Sequence, residues 1–406
     1  MFPPLFVRMT EDLLGNESSD LLNALDQPPE ISVRINIRKP GANFSAVEPV
    51  TWCKSGFYLS KRPDFIFDPF LHAGAYYVQE ASSMIYETVA SYLVEQLKSI
   101  SPSANLKVLD MCAAPGGKTT AMINALQDND SIIANEYSPK RVEALRENIT
   151  KWGFKGASVT NNGSAFLGSQ SPSFDIIAVD APCSGEGMMR KDPFARTQWS
   201  PDLVRQCSAL QREILTNAVK ALKPGGFLIY STCTFNRMEN EENVEFAVNE
   251  LSLQPVDPSF PQIWGIPTGI STNLPVFRFM PHKTRGEGLF LAILHKPGAW
   301  QPSFFNSKST LKPILKKTLP PSQNKDEIPP IEEILSVNNS LSHIPHVELD
   351  KESALAYLRR ESIFPPAGTP RGIIILTYHG LSLGAGKNIG SRINNLYPKS
   401  WRILKR

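Results

Sequence analysis

The sequence predicts an α/β protein whose largest part is a doubly wound parallel sheet. Three observations carry that expectation: four short apolar runs in mid-chain, a helical stretch after each, and a glycine-containing turn between the first run and its helix. LKVLDM (106–111) reads as the first buried strand and leads through CAAPGGKT into the helical TTAMINALQ. SIIANE (131–136) is the second, and the SPKRVEALRENITKWG behind it opens on a Ser-Pro helix start and closes at Gly153. FDIIAVD (174–180) is the third, with PDLVRQCSALQREILTNAVKALKPGG as a long amphipathic helix closed by Gly225 and Gly226. FLIYSTC (227–233) is the fourth, and ENEENVEFAVNEL reads as the helix after it.

The flanks differ from this pattern. Residues 1–100 form an α+β extension with a β-like SVRINIRK (32–39) and a helical EASSMIYETVASYLVEQL. The sheet domain is expected over 101–297 and a Pro/Lys-rich linker or arm over 298–344. A small α+β unit follows over 345–406, with a short helix (SALAYLRRE), a strand (RGIIILTYHG) and a Gly-rich basic end. No internal repeat is visible, and 406 residues suit two or three domains.

Composition excludes several classes. A hydrophobic fraction of 41% is that of a globular chain. No apolar run approaches the roughly 20 residues that cross a bilayer, and MFPPLFVRMTEDLLG lacks the layout of a secretory signal. The five cysteines (53, 112, 183, 207, 233) are scattered without a C-x-x-C, which argues against a disulfide framework or zinc knuckle and for a reducing, cytoplasmic setting. The six histidines do not join them at ligand spacing, so no metal is expected. Nothing calls for an obligate dimer, and a monomer is the expectation.

Net charge is only +3 but unevenly placed. After Glu361 no acidic residue occurs, while Arg371, Lys387, Arg392, Lys399, Arg402, Lys405 and Arg406 follow; Lys308, Lys312, Lys316, Lys317 and Lys325 form a second acid-free block. Such blocks suggest a polyanionic partner or, more plainly, a solvated basic face.

The glycine turn narrows the ligand. A P-loop would need a glycine where Cys112 stands, and the dinucleotide pattern G-x-G-x-x-G fails because Gly116 and Gly117 are adjacent. What survives is a nucleoside-like ligand over a strand-to-helix turn, with Glu136, about 20 residues on, at the next strand end to grip ribose hydroxyls. Ribose without a phosphate requirement points to S-adenosylmethionine. Asp180, ending the third strand, is then expected to face the same crevice, since open α/β sheets bind ligands at the carboxyl ends of their strands.

Two cysteines suggest the reaction. Carbon 5 of cytosine is too electron-poor to take a methyl group directly, and a thiolate adding to carbon 6 makes it nucleophilic. The carbon-5 proton must afterwards be removed so that the thiolate can leave. Cys183 follows the third strand and Cys233 ends the fourth, so both are expected at one sheet edge. For each alone, burial as an inert small residue is the commoner fate, and Cys53, Cys207 and Cys112 are assigned mainly to it, although the backbone of Cys112 belongs to the glycine turn.

VLDMCAAPGGKT, ANEYSPKR, DIIAVDAPCSGEGMMRKDP and YSTCTFNRMENEENV together resemble the RNA (cytosine-5) methyltransferases of the Sun/Fmu family, within it the bacterial RsmF-type ribosomal RNA enzymes. SVRINIRK, YYVQEASSM and the terminal HGLSLGAGKNIGSRINNLYPKSWRI extend the likeness over nearly the whole chain. The resemblance implies a Rossmann-like S-adenosylmethionine-dependent methyltransferase domain and a C-terminal PUA-like RNA-binding domain. It implies that Cys233, in STCTF, is the nucleophile, and that Cys183 acts later, in proton removal and release of the methylated RNA. It places Asp180 against the base edge and the cofactor, and Cys112, Ala113, Ala114, Pro115, Gly116, Gly117, Lys118, Glu136 and Arg141 on cofactor-binding positions. One departure stands out: Asn162, in NGSAF, occupies a position where the family usually has an acid that contacts the adenine amino group.

The expected substrate is ribosomal RNA, 16S in particular and possible within the 30S subunit, with the target base swung out of its stack. Arg190 and Lys191 are placed to meet phosphates beside that nucleotide, or are ordinary surface cations. Transfer RNA is a second substrate within the same chemistry, and a non-catalytic ribosome-assembly RNA-binding factor is a reading of another class. A DNA methyltransferase fits less well, because those enzymes attack with the Pro-Cys cysteine.

Overall fold

A computed structural model describes residues 1–45, 47–170, 172–303 and 328–405. The basic block Lys308–Lys325 and Arg406 lie outside the described residues. The chain opens with helices α1 (Pro4–Leu14) and α2 (Ser18–Asp26), which bury Phe6, Leu21 and Leu25 against Met189, Trp199 and Phe235 of the central domain. Strands β1 (Ser32–Ile35), β2 (Val47–Pro49), β3 (Gly56–Leu59) and β4 (Tyr76–Val78) form an antiparallel sheet ordered β2-β3-β1-β4. The short α3 (Pro69–His72) starts at Asp68, whose side chain accepts from the Phe70 amide.

Helix α4 (Ile85–Ile100) buries Ile85, Val89, Leu93 and Leu97, a four-residue spacing that lays one face on the central sheet domain. The division at residue 100 would have left it with the extension; its packing makes it a layer of the domain that follows.

That domain is built from β5 (Lys107–Asp110), α5 (Gly117–Ala125), β6 (Ser131–Asn135), α6 (Pro139–Trp152), β7 (Ala157–Thr160), α7 (Ser164–Gly168) and β8 (Phe174–Asp180). It continues with α8 (Pro193–Gln198), α9 (Pro201–Ala221), β9 (Leu222–Thr232), α10 (Glu241–Asn249), β10 (Gln254–Pro255), β11 (Val276–Phe279) and β12 (Leu289–His295). The eight strands lie in the order β10-β12-β9-β8-β5-β6-β7, with β11 also on β12. Pairing is parallel from β9 through β7, as the alternation of strands and helices predicts, and FDIIAVD is buried as a continuous run.

Two strands depart from that reading. ASVT forms β7 although it lacks an apolar run, because it closes the edge beside β6. LFLAILH, β12, runs antiparallel between β9 and β11, so the sheet is mixed. Helix α9 also ends at Ala221 rather than at the glycines: Pro224 cannot donate to a helix, and KPGG enters β9 through a register irregularity, with Gly225 at φ 73°.

From β5 the chain steps outward to β6 and β7, then returns to β8 on the other side of β5. The order reverses between β5 and β8, which opens a crevice at their carboxyl ends.

The C-terminal part comprises α11 (Ile331–Ile334), β13 (His346–Glu348), α12 (Lys351–Leu358), β14 (Gly372–Tyr378), β15 (Leu381–Asn388) and β16 (Ile393–Asn395), ordered β13-β14-β15-β16. The expected arm over 298–344 is in part folded. Ile334, Leu335, Leu341 and Ile344 are buried against Ile373, Ile375 and Ala385, so the C-terminal core begins earlier than residue 345. The Lys39 ammonium, buried, donates to the carbonyls of Ala73, Lys151 and Leu335 at 3.0, 2.6 and 2.6 Å and so joins all three parts of the chain. Among the described residues no helix is long and apolar enough to cross a membrane.

Candidate active site

The crevice brings three loops together. The first, Cys112–Gly116, links β5 to α5. Gly116 has φ 109°, a backbone conformation that only glycine adopts at little steric cost. The turn is held by its carbonyls: Arg141 Nη2 donates to Ala114 O at 2.6 Å and Asn148 Nδ2 to Pro115 O at 2.8 Å. Arg34, fully buried and reaching across from β1, donates to Gly117 O and Thr120 O at 3.1 Å each.

Glu136, at the end of β6, is buried; one carboxylate oxygen accepts from the Ser138 amide at 2.8 Å. The other faces the Arg141 guanidinium at 3.3 Å without a hydrogen bond, and its buried oxygen is left with unused acceptor capacity. A ribose hydroxyl would use it, so the donor set fits the nucleoside of S-adenosylmethionine. Asn162 stands nearby with its backbone pinned on both sides by Asn135 (Nδ2 to Asn162 O and Asn162 N to Oδ1, 3.0 Å each), while its side-chain amide has no hydrogen-bond partner among the described residues.

Lys118 does not wait for a phosphate. Its ammonium crosses the crevice to Asp180 Oδ2 at 2.8 Å. Burial lowers its pKa, but the charge of Asp180 and their hydrogen bond outweigh that and leave it raised. The other Asp180 oxygen accepts from Ser231 Oγ at 2.7 Å, and that hydroxyl meets Tyr86 OH of α4 at 2.8 Å. Asp180 is thus oriented from three elements. Below it, the Asp110 carboxyl is pushed up to about 7 by burial, with Thr119 Oγ1 donating to it at 2.6 Å.

The other two loops carry the sulfurs. Cys183 Sγ and Cys233 Sγ are both free thiols, partly exposed, and 3.1 Å apart. Their meeting is what the ends of β8 and β9 predict. The contact with Cys233 and burial raise the Cys183 pKa well above an ordinary thiol, so Cys183 holds its proton. Cys53 and Cys207 are buried, and burial pushes each up to about 12, in keeping with the inert role assigned to them.

Behind the sulfurs lies a buried polar network that the sequence did not announce. Ser184 and Thr234, each one residue past a cysteine, bond to one another at 2.8 Å. Glu239 accepts from the Ser184 amide at 3.0 Å and from its hydroxyl, and from Asn236 and Gln211 at 2.8 and 2.7 Å. Glu186 accepts from the amides of Phe235 and Asn236 at 2.6 and 3.0 Å and from the Trp199 indole at 3.0 Å. Gly187 N donates to Cys233 O at 2.8 Å, and a Cβ at Gly187 would stand 2.9 Å from that oxygen, so only glycine permits the approach. Both glutamates lie within the quoted motifs. Their signal was a run of polar residues in segments too short of apolar positions to be core, and sequence alone cannot show that such a run is buried.

Arg190 and Lys191 are not free surface cations. Arg190 donates to the carbonyls of Gln27, Pro28 and Gly286 at 3.2, 2.8 and 2.8 Å, and Lys191 is paired with the buried carboxylate of Glu287. Arg190 thereby ties the segment after α2 to the central domain, and Lys191 pairs within that domain.

Three family models match the chain: 16S rRNA methyltransferase RsmB/F over residues 97–295, the N-terminal domain of 16S rRNA methyltransferase RsmF over 2–81, and the methyltransferase RsmF PUA domain over 344–403. Ribosomal RNA small subunit methyltransferase F of Cronobacter sakazakii is 31% identical, with 95% of this chain and 92% of that protein covered. Its Escherichia coli counterpart is 30% identical, covering 98% and 96%. Among solved structures, a methyltransferase homolog from Pyrococcus horikoshii superposes with a TM-score of 0.61 at 26% identity over 73% of this chain and 95% of its own. NSun6 from the same organism, solved with SFG, shares the fold at TM-score 0.61 and 21% identity, over 73% and 99%.

Proposed function

The chain belongs to the RsmB/F family of 16S rRNA methyltransferases, and from that membership we propose that it forms 5-methylcytosine in 16S ribosomal RNA through a covalent adduct of Cys233. It is an S-adenosylmethionine-dependent methyltransferase with a Rossmann-like domain and a C-terminal PUA domain; the site of methylation and the adduct are the proposal. The observation that carries it is the pair of thiols 3.1 Å apart at the carboxyl ends of adjacent parallel strands, beside the glycine turn.

In this reading the Cys233 thiolate adds to carbon 6 of a swung-out cytosine, forming a C–S bond and pushing the ring electrons toward carbon 5. S-adenosylmethionine, when bound, supplies an electrophilic methyl group that carbon 5 takes, with the thioether as leaving group. Removal of the carbon-5 proton returns an electron pair to the ring, re-forms the 5,6 double bond and expels the thiolate. The carbon-5 proton passes to solvent water, and Cys183, protonated at rest and 3.1 Å from the attacking sulfur, is placed to hydrogen-bond that sulfur as it leaves. Asp180, fixed by Lys118 and Ser231, presents a carboxylate to the base edge, and Glu136, Arg141 and Asn162 hold the nucleoside of the donor.

The test is a pair of variants incubated with 16S RNA and labelled S-adenosylmethionine. Cys233→Ala should abolish both methylation and covalent trapping. Cys183→Ala should accumulate a protein–RNA species that migrates slowly on a denaturing gel. An adduct with the first variant and none with the second would exchange the two roles, and an unlabelled RNA with the wild-type protein would leave a non-catalytic assembly factor.

A further inference from the structure

A cavity of about 530 Å³ lies away from the cysteines, walled by the N-terminal sheet, α6 and the last residues of the chain. Its volume is within the roughly 300–1,000 Å³ of sites that enclose small molecules. The cavity touches the outer side of the glycine turn, since Tyr77 and Asn148 line it and both reach Pro115 O, at 3.4 and 2.8 Å. No residue of the crevice that holds the cysteines lines it.

The wall has an uncommon chemistry. Trp401, half-buried, stands with its ring 5.4 Å from Lys151 Nζ and edge-on to Tyr397 at 6.2 Å. Arg62, Arg402 and Lys405 line the same cavity, are exposed, and have no ion-pair partner among the described residues. The acids on the wall are Asp64, exposed, and Glu147, which is paired with Lys151.

Two wall residues also carry buried nitrogens without a partner: His72 Nδ1 and Trp152 Nε1, in residues 6% and 1% exposed. Burial, then the charge of Lys151, lowers the His72 pKa to about 4, so the ring is neutral at pH 7. Its Nε2 lies 2.9 Å from Ile66 O and must carry the hydrogen there, which makes Nδ1 a bare acceptor. The Trp152 indole is a bare donor. An aromatic face beside three unpaired cations answers to a base with its sugar–phosphate.

We propose that this cavity receives an unpaired nucleotide of the RNA substrate, separate from the one that is methylated, with its base on Trp401 and its flanking phosphates toward Arg62, Arg402 and Lys405. The inference rests on the reading of the chain as an RNA methyltransferase. It gives the acid-free C-terminal segment a defined role: the segment supplies one wall of a nucleotide site rather than a diffuse basic tail.

The experiment uses the full chain, a fluorescein-labelled fragment of 16S RNA, anisotropy at several salt concentrations, and methylation kinetics. Trp401→Ala should weaken RNA binding on the order of tenfold and raise the KM for RNA similarly with kcat unchanged, and Trp401→Phe should recover most of the loss. The double variant Arg402→Ala/Lys405→Ala should flatten the slope of log affinity against log salt by roughly one to two. Wild-type affinity and slope in both the Trp401→Ala and the double variant would overturn the proposal. If Trp401→Ala lowers the melting temperature, the double variant at exposed positions decides alone. Should the wild-type protein methylate no RNA, the reading of the chain fails, while the anisotropy of the variants against wild type still decides whether the cavity binds RNA.

Discussion

Behind Cys183 and Cys233 stand two buried carboxylates, Glu186 and Glu239, that collect amide, hydroxyl and indole donors from both cysteine loops. The glycine turn is held chiefly by cations and an amide instead: Arg34, Arg141 and Asn148 reach in from a neighbouring sheet and helix and take hold of carbonyl oxygens. The difference follows from what each loop must do. Two sulfurs in contact need positions set to a fraction of an ångström, which a dense satisfied network provides. A turn that admits and releases a ligand at every cycle needs polar groups left available, as the Glu136 oxygen facing Arg141 is.

The contrast can be broken most forcefully at Glu186. Glu186→Ala would strand the amides of Phe235 and Asn236 and the Trp199 indole in a buried site, at about 3–5 kcal/mol. A chemical-denaturation curve should show that loss together with abolished methylation; a variant that keeps both stability and activity would mean that the network is not what sets the sulfurs. A middle-sized effect is expected at Asp110. Its folded pKa, about 7, lies above the unfolded value of about 3.9. Between those two values the unfolded chain has lost the proton while the folded one keeps it, so wild-type stability falls as pH rises through that window and then levels off. Asp110→Asn, neutral throughout, should match wild type near pH 4 and melt roughly 3–6 °C higher at pH 8. Equal melting curves at pH 8 would show that the carboxyl titrates as if exposed. The smallest effect concerns Asn162, whose amide oxygen can accept from an adenine amino group without charge assistance. Asn162→Asp should tighten S-adenosylmethionine binding about two- to tenfold in a calorimetric titration, and weaker binding would remove Asn162 from the adenine site.

The same contrast explains what could be read in advance. The parallel strands β5, β6, β8 and β9 stood out as apolar runs between helices, and α6 was bounded by Ser138-Pro139 and Gly153. Glu136 was legible because a βαβ step fixes its separation from the glycine turn. β7 was not, because ASVT carries no hydrophobic signal and is a strand only by virtue of the edge it pairs with. β12 was not among the expected strands: LFLAILH is an apolar run, but its antiparallel direction is a property of the sheet and not of the run. The cysteines were found by strand ends and resemblance, whereas Arg34, Tyr86 and Ser231 act across distances of up to 145 residues in sequence and leave no local trace. Arg190 and Lys191 show the converse: a positive charge in a motif looks free until its partners are known.

Lys39 draws a consequence for how the molecule comes together. An ammonium has three hydrogens, and the three carbonyls that receive them belong to residues 73, 151 and 335. The third comes only from the segment past residue 328, and burial at this seam lowers the Lys39 pKa to about 7, so all three acceptors are needed to hold the proton there. One lysine thus keys residue 335 to residues 73 and 151, so a change at this single position reaches all three parts of the chain.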